Sequence, residues 1–435
     1  MRSTRTSKAV QDFVGEVCKK IRFRSVHAKI SKELRDHIED QKEEYLQQGY
    51  SEEVATSLAI EQMGDPSLVG KQFNRTYQPK TEWSILLITA LLISIGGVIQ
   101  FFVSSQMNTI GIHSFSYFVK YVPIGIVMFA RMYFFNYTWF VRHSRVIYFS
   151  LIFITLVGFY MFPFKMNGSY FHVQYLSLLL IPVLAGIVYS YRNKGWLGIF
   201  YSYMYYSVAA YLCLIAPSSS ALVLLTVSYL IILTVAVARD VFGNIRRFVL
   251  PLIYTLTLLI LGLPMATTSY RLVKLKMMFR PELDPLGAGY LQTTVQNIIT
   301  SSKPIGASFI GNITVEEALP SWTTDFSLTY LIAKIGYIPG MTIIVILLML
   351  IARMFSSVLK QKNTPAFLVA CAACLAIAGQ IIFYVLTNLG LIMPLSFYLP
   401  FVSYGAYGFM MNMALMGLLL SVYRRTNIVA EEYPN

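Results

Sequence analysis

The chain has 435 residues, 56% of them hydrophobic and only 13% charged, with a mean hydropathy of +0.58 and a formal net charge of +14. A soluble protein carries roughly a quarter charged residues. The balance therefore excludes a water-soluble enzyme and a disordered chain, and the 4 cysteines exclude a secreted disulfide scaffold. The composition predicts an all-α, polytopic membrane bundle preceded by a small soluble helical domain. Residues 1–82 hold 14 Lys and Arg against 13 Asp and Glu, whereas residues 83–435 hold 21 against 8. Those cations are scattered between apolar runs, which argues for anchoring at a membrane face and against a nucleic-acid partner.

Residues 1–80 read as a cytoplasmic helical domain with no apolar run of the length a secretory signal has. Val10, Phe13, Val14, Val17 and Ile21 recur at helical spacing, as do Ile30, Leu34 and Ile38, with Tyr45 and Leu46 beyond. Ser51 with Glu53 has the form of a capping box one residue short, and Val54 opens the next apolar stripe. Gly64-Asp65-Pro66 is a helix stop followed by a proline-led restart. The predicted helices are 8–22, 26–48, 51–63 and 66–76. The strings Ile30–Asp40, Gly49–Ala55 and Ala59–Pro66 resemble the small prefix domain fused ahead of some bacterial permeases. That resemblance implies a cytoplasmic signalling or protein-contact module without catalysis. His37, among carboxylates, reads as part of a solvated helix face.

A bilayer core of ~30 Å needs about 20 apolar residues per helix. Ten runs meet this: 83–103, 115–137, 145–162, 174–191, 196–215, 220–238, 248–267, 326–351, 364–387 and 401–422. With the N-terminus inside, the inner loops carry Arg142, Arg145, Arg192, Lys194, Arg239, Arg246, Arg247, Arg353, Lys360, Lys362, Arg424 and Arg425, and the short outer loops only Lys165. This is the positive-inside pattern and predicts both termini in the cytoplasm. Arg131 and Lys120 read as snorkelling cations. Lys334 falls about nine residues inside the eighth run, ~13 Å deep at 1.5 Å per residue, where it would snorkel, meet a phosphate, or pair with Asp325 or Asp284. Cys371 and Cys374, inside the ninth run and without a second pair or a histidine, read as small buried residues rather than a metal or redox pair. His113 and His172 have no ligand-like neighbours. The Tyr- and Phe-rich run from Phe200 to Tyr211 reads as packing.

Five of the eight acids after residue 82 fall in the one long outer loop, about 268–325: Glu282, Asp284, Glu316, Glu317 and Asp325. Long loops without a role are uncommon, and this one also carries Arg271, Lys274, Lys276, Arg280 and Lys303. Within it, Asp284-Pro285-Leu286-Gly287-Ala288-Gly289-Tyr290 has the form of a rigid turn. Asp284 could present a fixed carboxylate or could cap that turn, as Asp before Pro often does. The cations upstream suit a diphosphate.

Tyr270-Arg271, Pro281–Tyr290, Thr324-Asp325-Phe326, Leu399–Gly405, Asn412 and Gly417–Ser421, in this order and spacing, resemble the SEDS family typified by RodA, FtsW and SpoVE. The resemblance is strong over about 268–425 and faint over 83–267, within a predicted membrane domain of 83–425. It implies a ten-span peptidoglycan glycosyltransferase of the bacterial cytoplasmic membrane, polymerising lipid II at the outer face beside a class B penicillin-binding protein. It maps the catalytic aspartate onto Asp284, as general base on the acceptor hydroxyl. It also implies Arg271, Lys274, Lys276 or Arg280 at the diphosphate, with Lys334, Asp325, Ser403 and Tyr404 near the substrate. A divalent cation, Mg or Mn, is left open as the alternative charge carrier. The chain departs from the family pattern at Gln174–Ser177, Ala216–Ser220, Asn167-Gly168, Ile299–Gly306 and Ala333-Lys334, where polar or acidic positions are altered. A second reading is therefore carried forward: a catalytically inactive scaffold, or a binder or transporter of lipid-linked precursors.

Overall fold

The computed structural model describes residues 2–106, 114–161, 165–166, 169–243, 249–266, 273, 276–278, 280–308, 314–403 and 405–426. Most of these are helical; the exceptions are turns, the irregular stretches 302–308 and 389–403, and a two-residue antiparallel ladder, Lys165–Met166 against Ser169–Tyr170. The described residues divide into two compact units, 2–81 with 424–426, and Glu82–Tyr423.

The first unit contains α1 (Arg2–Lys19), α2 (His27–Gln47), α3 (Glu52–Gln62) and α4 (Pro66–Thr76). Their apolar stripes close on one core, Phe13, Val14, Val17, Ile21, Val26, Ile30, Leu34, Ile38 and Ala59. Asp65 caps α4 by accepting the Ser67 N–H, with Pro66 in the first turn. Ser51 occupies the cap position of α3, but its side chain makes no capping bond. The stripe of α3 runs through Ala55 and Ala59, both fully buried, while Val54 is exposed. Tight packing against α2 selects the small residues, so the face lies one position later than apolar spacing suggests.

The second unit contains α5 (Trp83–Gln106), α6 (Ser114–Phe134), α7 (Tyr137–Arg142), α8 (Ser144–Met161), α9 (Phe171–Ser190), α10 (Gly195–Ile215), α11 (Ser219–Ala238) and α12 (Val249–Ala266). It continues with α13 (Tyr290–Ser301), α14 (Val315–Ala318), α15 (Ser327–Ile335), α16 (Tyr337–Leu359), α17 (Thr364–Asn388) and α18 (Ala406–Arg424). Among the described residues nine helices are long and apolar enough to cross a membrane: α5, α6, α8 to α11 and α16 to α18. The predicted run at 248–267 coincides with α12, whose qualifying apolar stretch, Val249–Ile260, is shorter. The protein is a multi-pass membrane protein. Helices α9, α17 and α18 form the inside of the bundle, each with 78% of its apolar window buried, whereas only 17% of that of α6 is. Of the Tyr- and Phe-rich run of α10, Tyr206 is buried and stacks on Tyr229 at 4.4 Å between ring centroids, while Phe200, Tyr201 and Tyr211 are exposed.

The predicted eighth run, 326–351, is two helices. The chain breaks at Gly336, with φ +112° and ψ 166°, and the crossing helix α16 begins at Tyr337. The segment from Lys303 to Ser308 lies against this break. Gly306 and Ser308 donate N–H groups to the Ile335 and Ala333 carbonyls, both at 2.8 Å. Tyr337 and Ile338 donate to the Lys303 and Pro304 carbonyls at 3.0 and 3.1 Å. Backbone groups that a continuous helix would satisfy internally are thus satisfied from outside it. Hydropathy did not separate the pieces because Leu328, Tyr330, Leu331 and Ile332 are buried in protein. Lys334 therefore precedes the crossing helix instead of lying about nine residues within it. The predicted tenth span likewise starts late, at Ala406, because Phe401 adopts φ +69° in a turn.

On the side where α5 starts and α16 ends, Glu82 accepts from Arg353 at 3.0 Å, with Lys360 3.6 Å away. Burial pushes this carboxyl up, but the Tyr423 hydroxyl, Lys360 and Arg353 outweigh it and hold it below its usual value.

Replacing Gly336 tests the break. A β-carbon there would lie 2.5 Å from the Pro304 carbonyl oxygen and 2.7 Å from the Ile305 Cα, on a backbone that L side chains rarely adopt. Gly336→Ala is expected to cost about 1–3 kcal/mol, read as a lower melting temperature of the purified protein in detergent. An unchanged melting temperature would contradict the broken geometry.

Candidate functional site

Pro281–Leu283 form a single 3₁₀ turn, with proline in its first position, and Asp284 follows. The Asp284 carbonyl accepts the N–H of Gly287 at 3.3 Å and of Gly289 at 3.0 Å. Its carboxylate Oδ2 accepts the Ala288 N–H at 2.9 Å. Space requires Gly289, where a β-carbon would sit 2.1 Å from the Pro281 carbonyl oxygen, whereas one on Gly287 would sit 2.3 Å from Asp284 Oδ2 and push the carboxylate aside. The turn therefore fixes the carboxylate, which is half-buried, and Oδ1 accepts no hydrogen bond among the described residues. The two readings of Asp284 left open by the sequence are compatible: one oxygen caps the turn and the other is presented.

Tyr290 starts α13 directly after the turn, and its hydroxyl donates to the Ala318 carbonyl at the end of α14 at 3.2 Å. Gln292 and Gln296 donate to the Gly390 carbonyl at 3.2 and 2.8 Å, which docks α13 on the turn after α17. Within α14, the Thr314 side chain accepts from the Glu317 backbone while the Glu317 side chain accepts the Thr314 N–H, a complete capping box. Glu316 points the other way. Its Oε1 meets Lys334 Nζ at 2.8 Å and the Tyr330 hydroxyl at 3.2 Å. Lys334 thus pairs with Glu316 rather than with Asp325 or Asp284, at the end of a short helix rather than at span depth.

Asp325 is 6% exposed and lies just before α15. Its surroundings are a polar knot. The Asn388 side chain donates to the Asp325 carbonyl at 2.8 Å and accepts from the Thr329 N–H at 3.1 Å and hydroxyl at 3.0 Å. The Ser327 hydroxyl meets the Tyr384 hydroxyl at 2.8 Å and the Ser403 hydroxyl at 3.2 Å. Ser403 also donates to the Thr324 carbonyl and accepts the Leu399 N–H. Burial pushes the Asp325 carboxyl up to about 7, although hydrogen bonds from Ser396 and Thr324 pull it partly back.

Of the cations expected at a diphosphate, Lys276 and Arg280 are exposed and one turn apart, the Arg280 N–H bonding the Lys276 carbonyl at 3.1 Å. Arg271, Lys274 and Tyr404 lie outside the described residues, as does His113. No ion pair engages Asp284, Lys276 or Arg280 among the described residues. Nor do the described residues hold a cluster of three His, Cys, Asp or Glu that could bind a metal. Cys371 and Cys374 are buried free thiols, and His172 packs edge-on against Phe159. Gln174, Tyr175 and Ser177 line a small cleft with Gln380, Phe397 and Tyr398, about 10 Å³ in volume, room for about one water.

Sequence reasoning missed Glu316 as the partner of Lys334, and missed Asn388, Thr329 and Tyr384. The available signal was a polar residue inside an apolar run: Asn388 and Gln380 both lie in α17, and Gln380 bonds Asn412 of α18 at 2.9 Å.

A bundle of apolar helices carrying a turn-fixed carboxylate and a buried polar knot defines a polytopic membrane protein. A family model described as cell cycle protein, of the FtsW/RodA/SpoVE group, matches residues 82–428, and the chain belongs to that family. Over 368 residues it is 24% identical to a protein of Thiomicrospira cyclica named as a probable peptidoglycan glycosyltransferase FtsW, covering 80% of this chain and 92% of that protein. A protein of the same name from Enterococcus hirae is 30% identical over 152 residues, 35% of this chain, and the match spans 38% of that relative. Among solved structures, a chain from work on polymerization and crosslinking by a peptidoglycan synthase complex superposes with a TM-score of 0.62. Its identity is 16%, covering 79% of this chain and 98% of that one, a likeness of fold.

The raised carboxyl of Asp325 gives a testable pH dependence. Its value in the fold, about 7, exceeds the ordinary 3.8. Between these values the folded protein binds more protons than the unfolded chain, so stability is full at about pH 4 and declines as pH rises through about 7. Asp325→Asn, which keeps the shape and removes the charge, is expected to melt higher than wild type at pH 8 and to flatten this slope. Equal slopes for the two proteins would contradict the burial of an ionisable carboxyl here.

Proposed function

We propose that the chain is a peptidoglycan glycosyltransferase that polymerises lipid II at the outer face of the bacterial cytoplasmic membrane, in wall synthesis for shape, division or sporulation. The observation that carries this reading is the Asp284 turn: a carboxylate fixed through Oδ2 to the Ala288 N–H, with Gly289 packed on the Pro281 carbonyl and Gly287 against the carboxylate itself, in a chain of the FtsW/RodA/SpoVE family.

Asp284 acts as general base. As the acceptor sugar hydroxyl attacks the anomeric carbon of the lipid-linked chain, Asp284 takes the hydroxyl proton. The new glycosidic bond forms while the bond to undecaprenyl diphosphate breaks, and the electron pair leaves on the diphosphate. Such proton removal contributes about 10²–10⁴ in rate. Arg280 and Lys276, exposed and free of acidic partners among the described residues, offset the charge of the leaving group, together with Arg271 and Lys274. With no three-ligand cluster among the described residues, a divalent cation would be held mainly by the diphosphate with one or two carboxylates, the usual habit of Mg²⁺. Both termini lie in the cytoplasm, a class B penicillin-binding protein crosslinks the product, and residues 1–80 act as a cytoplasmic regulator.

One observation favours a second reading, a catalytically inactive scaffold or binder of lipid-linked precursors: Lys334 is already paired with Glu316 and is not free to assist a leaving diphosphate. Purified protein with lipid II, with and without divalent cation and a class B partner, separates the two. Glycan chains from wild type and at least a 10²-fold loss in Asp284→Ala and Asp284→Asn are expected. Lipid II bound but unpolymerised under every condition would select the second reading.

A further inference from the structure

The ion pair of Lys334 and Glu316 has no place in the reaction as described, yet it sits on the only short helix tied to the Asp284 turn by a side chain among the described residues. Helix α14 is held from both sides. On one side the Tyr290 hydroxyl, one residue beyond the turn, bonds the Ala318 carbonyl at 3.2 Å. On the other, Glu316 receives Lys334 at 2.8 Å and the Tyr330 hydroxyl at 3.2 Å. The Lys334 ammonium also lies 5.6 Å from the centroid of the Tyr330 ring, whose other neighbour is Trp322, with ring centroids 4.5 Å apart. Both charged side chains are under one-third exposed. Lys334 occupies the last turn of α15, where a cation also meets the helix dipole favourably. An exposed ion pair alone contributes little. Here it closes a chain of contacts from α15 through Glu316, α14, Ala318 and Tyr290 to the backbone that cages the Asp284 carboxylate.

We propose that Lys334 and Glu316 are a positioning pair for Asp284: their attraction sets α14, and α14 sets the turn that aims the carboxylate. The kinetic consequence rests on the glycosyltransferase reading; the structural one does not. Lys334 acts through Glu316 and does not touch the diphosphate. Reversing one charge sets two like charges against each other on α14 and α15, and reversing both restores the attraction.

The test uses the full-length protein in lipid nanodiscs as wild type, Lys334→Glu, Glu316→Lys, the double reversal, and Lys334→Arg. Amide exchange is followed by mass spectrometry in peptides covering residues 284–290, which include the Ala288 N–H bonded to Asp284. Each single reversal is expected to raise exchange there about tenfold, the double reversal to return it near wild type, and Lys334→Arg to leave it unchanged. With lipid II, kcat is expected to fall about tenfold in the single reversals with KM within about twofold, and to recover in the double. Unaltered exchange in the single reversals would overturn the proposal. So would a raised KM that the double reversal fails to recover, the pattern of a lysine binding the diphosphate directly. Should a single reversal fail to fold, Glu316→Gln replaces it, with a smaller rise in exchange expected and no rise overturning the proposal. If the wild type polymerises nothing, the glycosyltransferase reading falls, and the exchange measurement alone still decides the pairing.

Discussion

Asn388 closes α17 and, with the same side chain, secures the start of α15. The first N–H groups of a helix have no partner within it, and in an apolar bundle there is little water to serve them. Asn388 accepts the Thr329 N–H and hydroxyl and donates to the Asp325 carbonyl, while the Tyr384 hydroxyl accepts the Leu328 N–H. The break at Gly336 then closes the other end of the same short helix against the segment from Lys303 to Ser308. A buried helix with both ends satisfied from outside becomes a fixed base, and the segment bearing Asp284 is assembled on it through α14 and α13.

The same constraint explains how the polar side chains are spent. Sequence runs that enter the bundle spend their polar groups on each other, as Gln380 does with Asn412 and Ser327 with Tyr384. Asp284, by contrast, spends one oxygen on its own turn and leaves the other available. A carboxylate that holds its own loop needs no buried counter-charge. Asp325, 6% exposed, is the opposite case: burial favours its neutral form and suits it to structure.

Much of the architecture was legible. Apolar runs, the cation distribution and the prefix helices follow from periods and from bilayer thickness, and the Asp284 turn announced itself through Pro285 and two glycines. Three things were not legible for physical reasons. The break at Gly336 hides inside a continuous apolar run, because helix α15 is buried by protein rather than by lipid. The partner of Lys334 lies 18 positions away in a four-residue helix, a separation that neither period nor charge spacing records. The stripe of α3 follows alanines because close packing outweighed the larger Val54. In each case tertiary contact decided a matter on which local composition was neutral.

The central claim is that this chain itself breaks the bond between sugar and lipid diphosphate. Release of undecaprenyl diphosphate from radiolabelled lipid II, supplied in excess over the purified protein in nanodiscs so that donor and acceptor are both present, with no other enzyme, tests it most directly. The account predicts release of the lipid diphosphate in step with formation of the new glycosidic bond. Lipid II that stays intact while bound would contradict it.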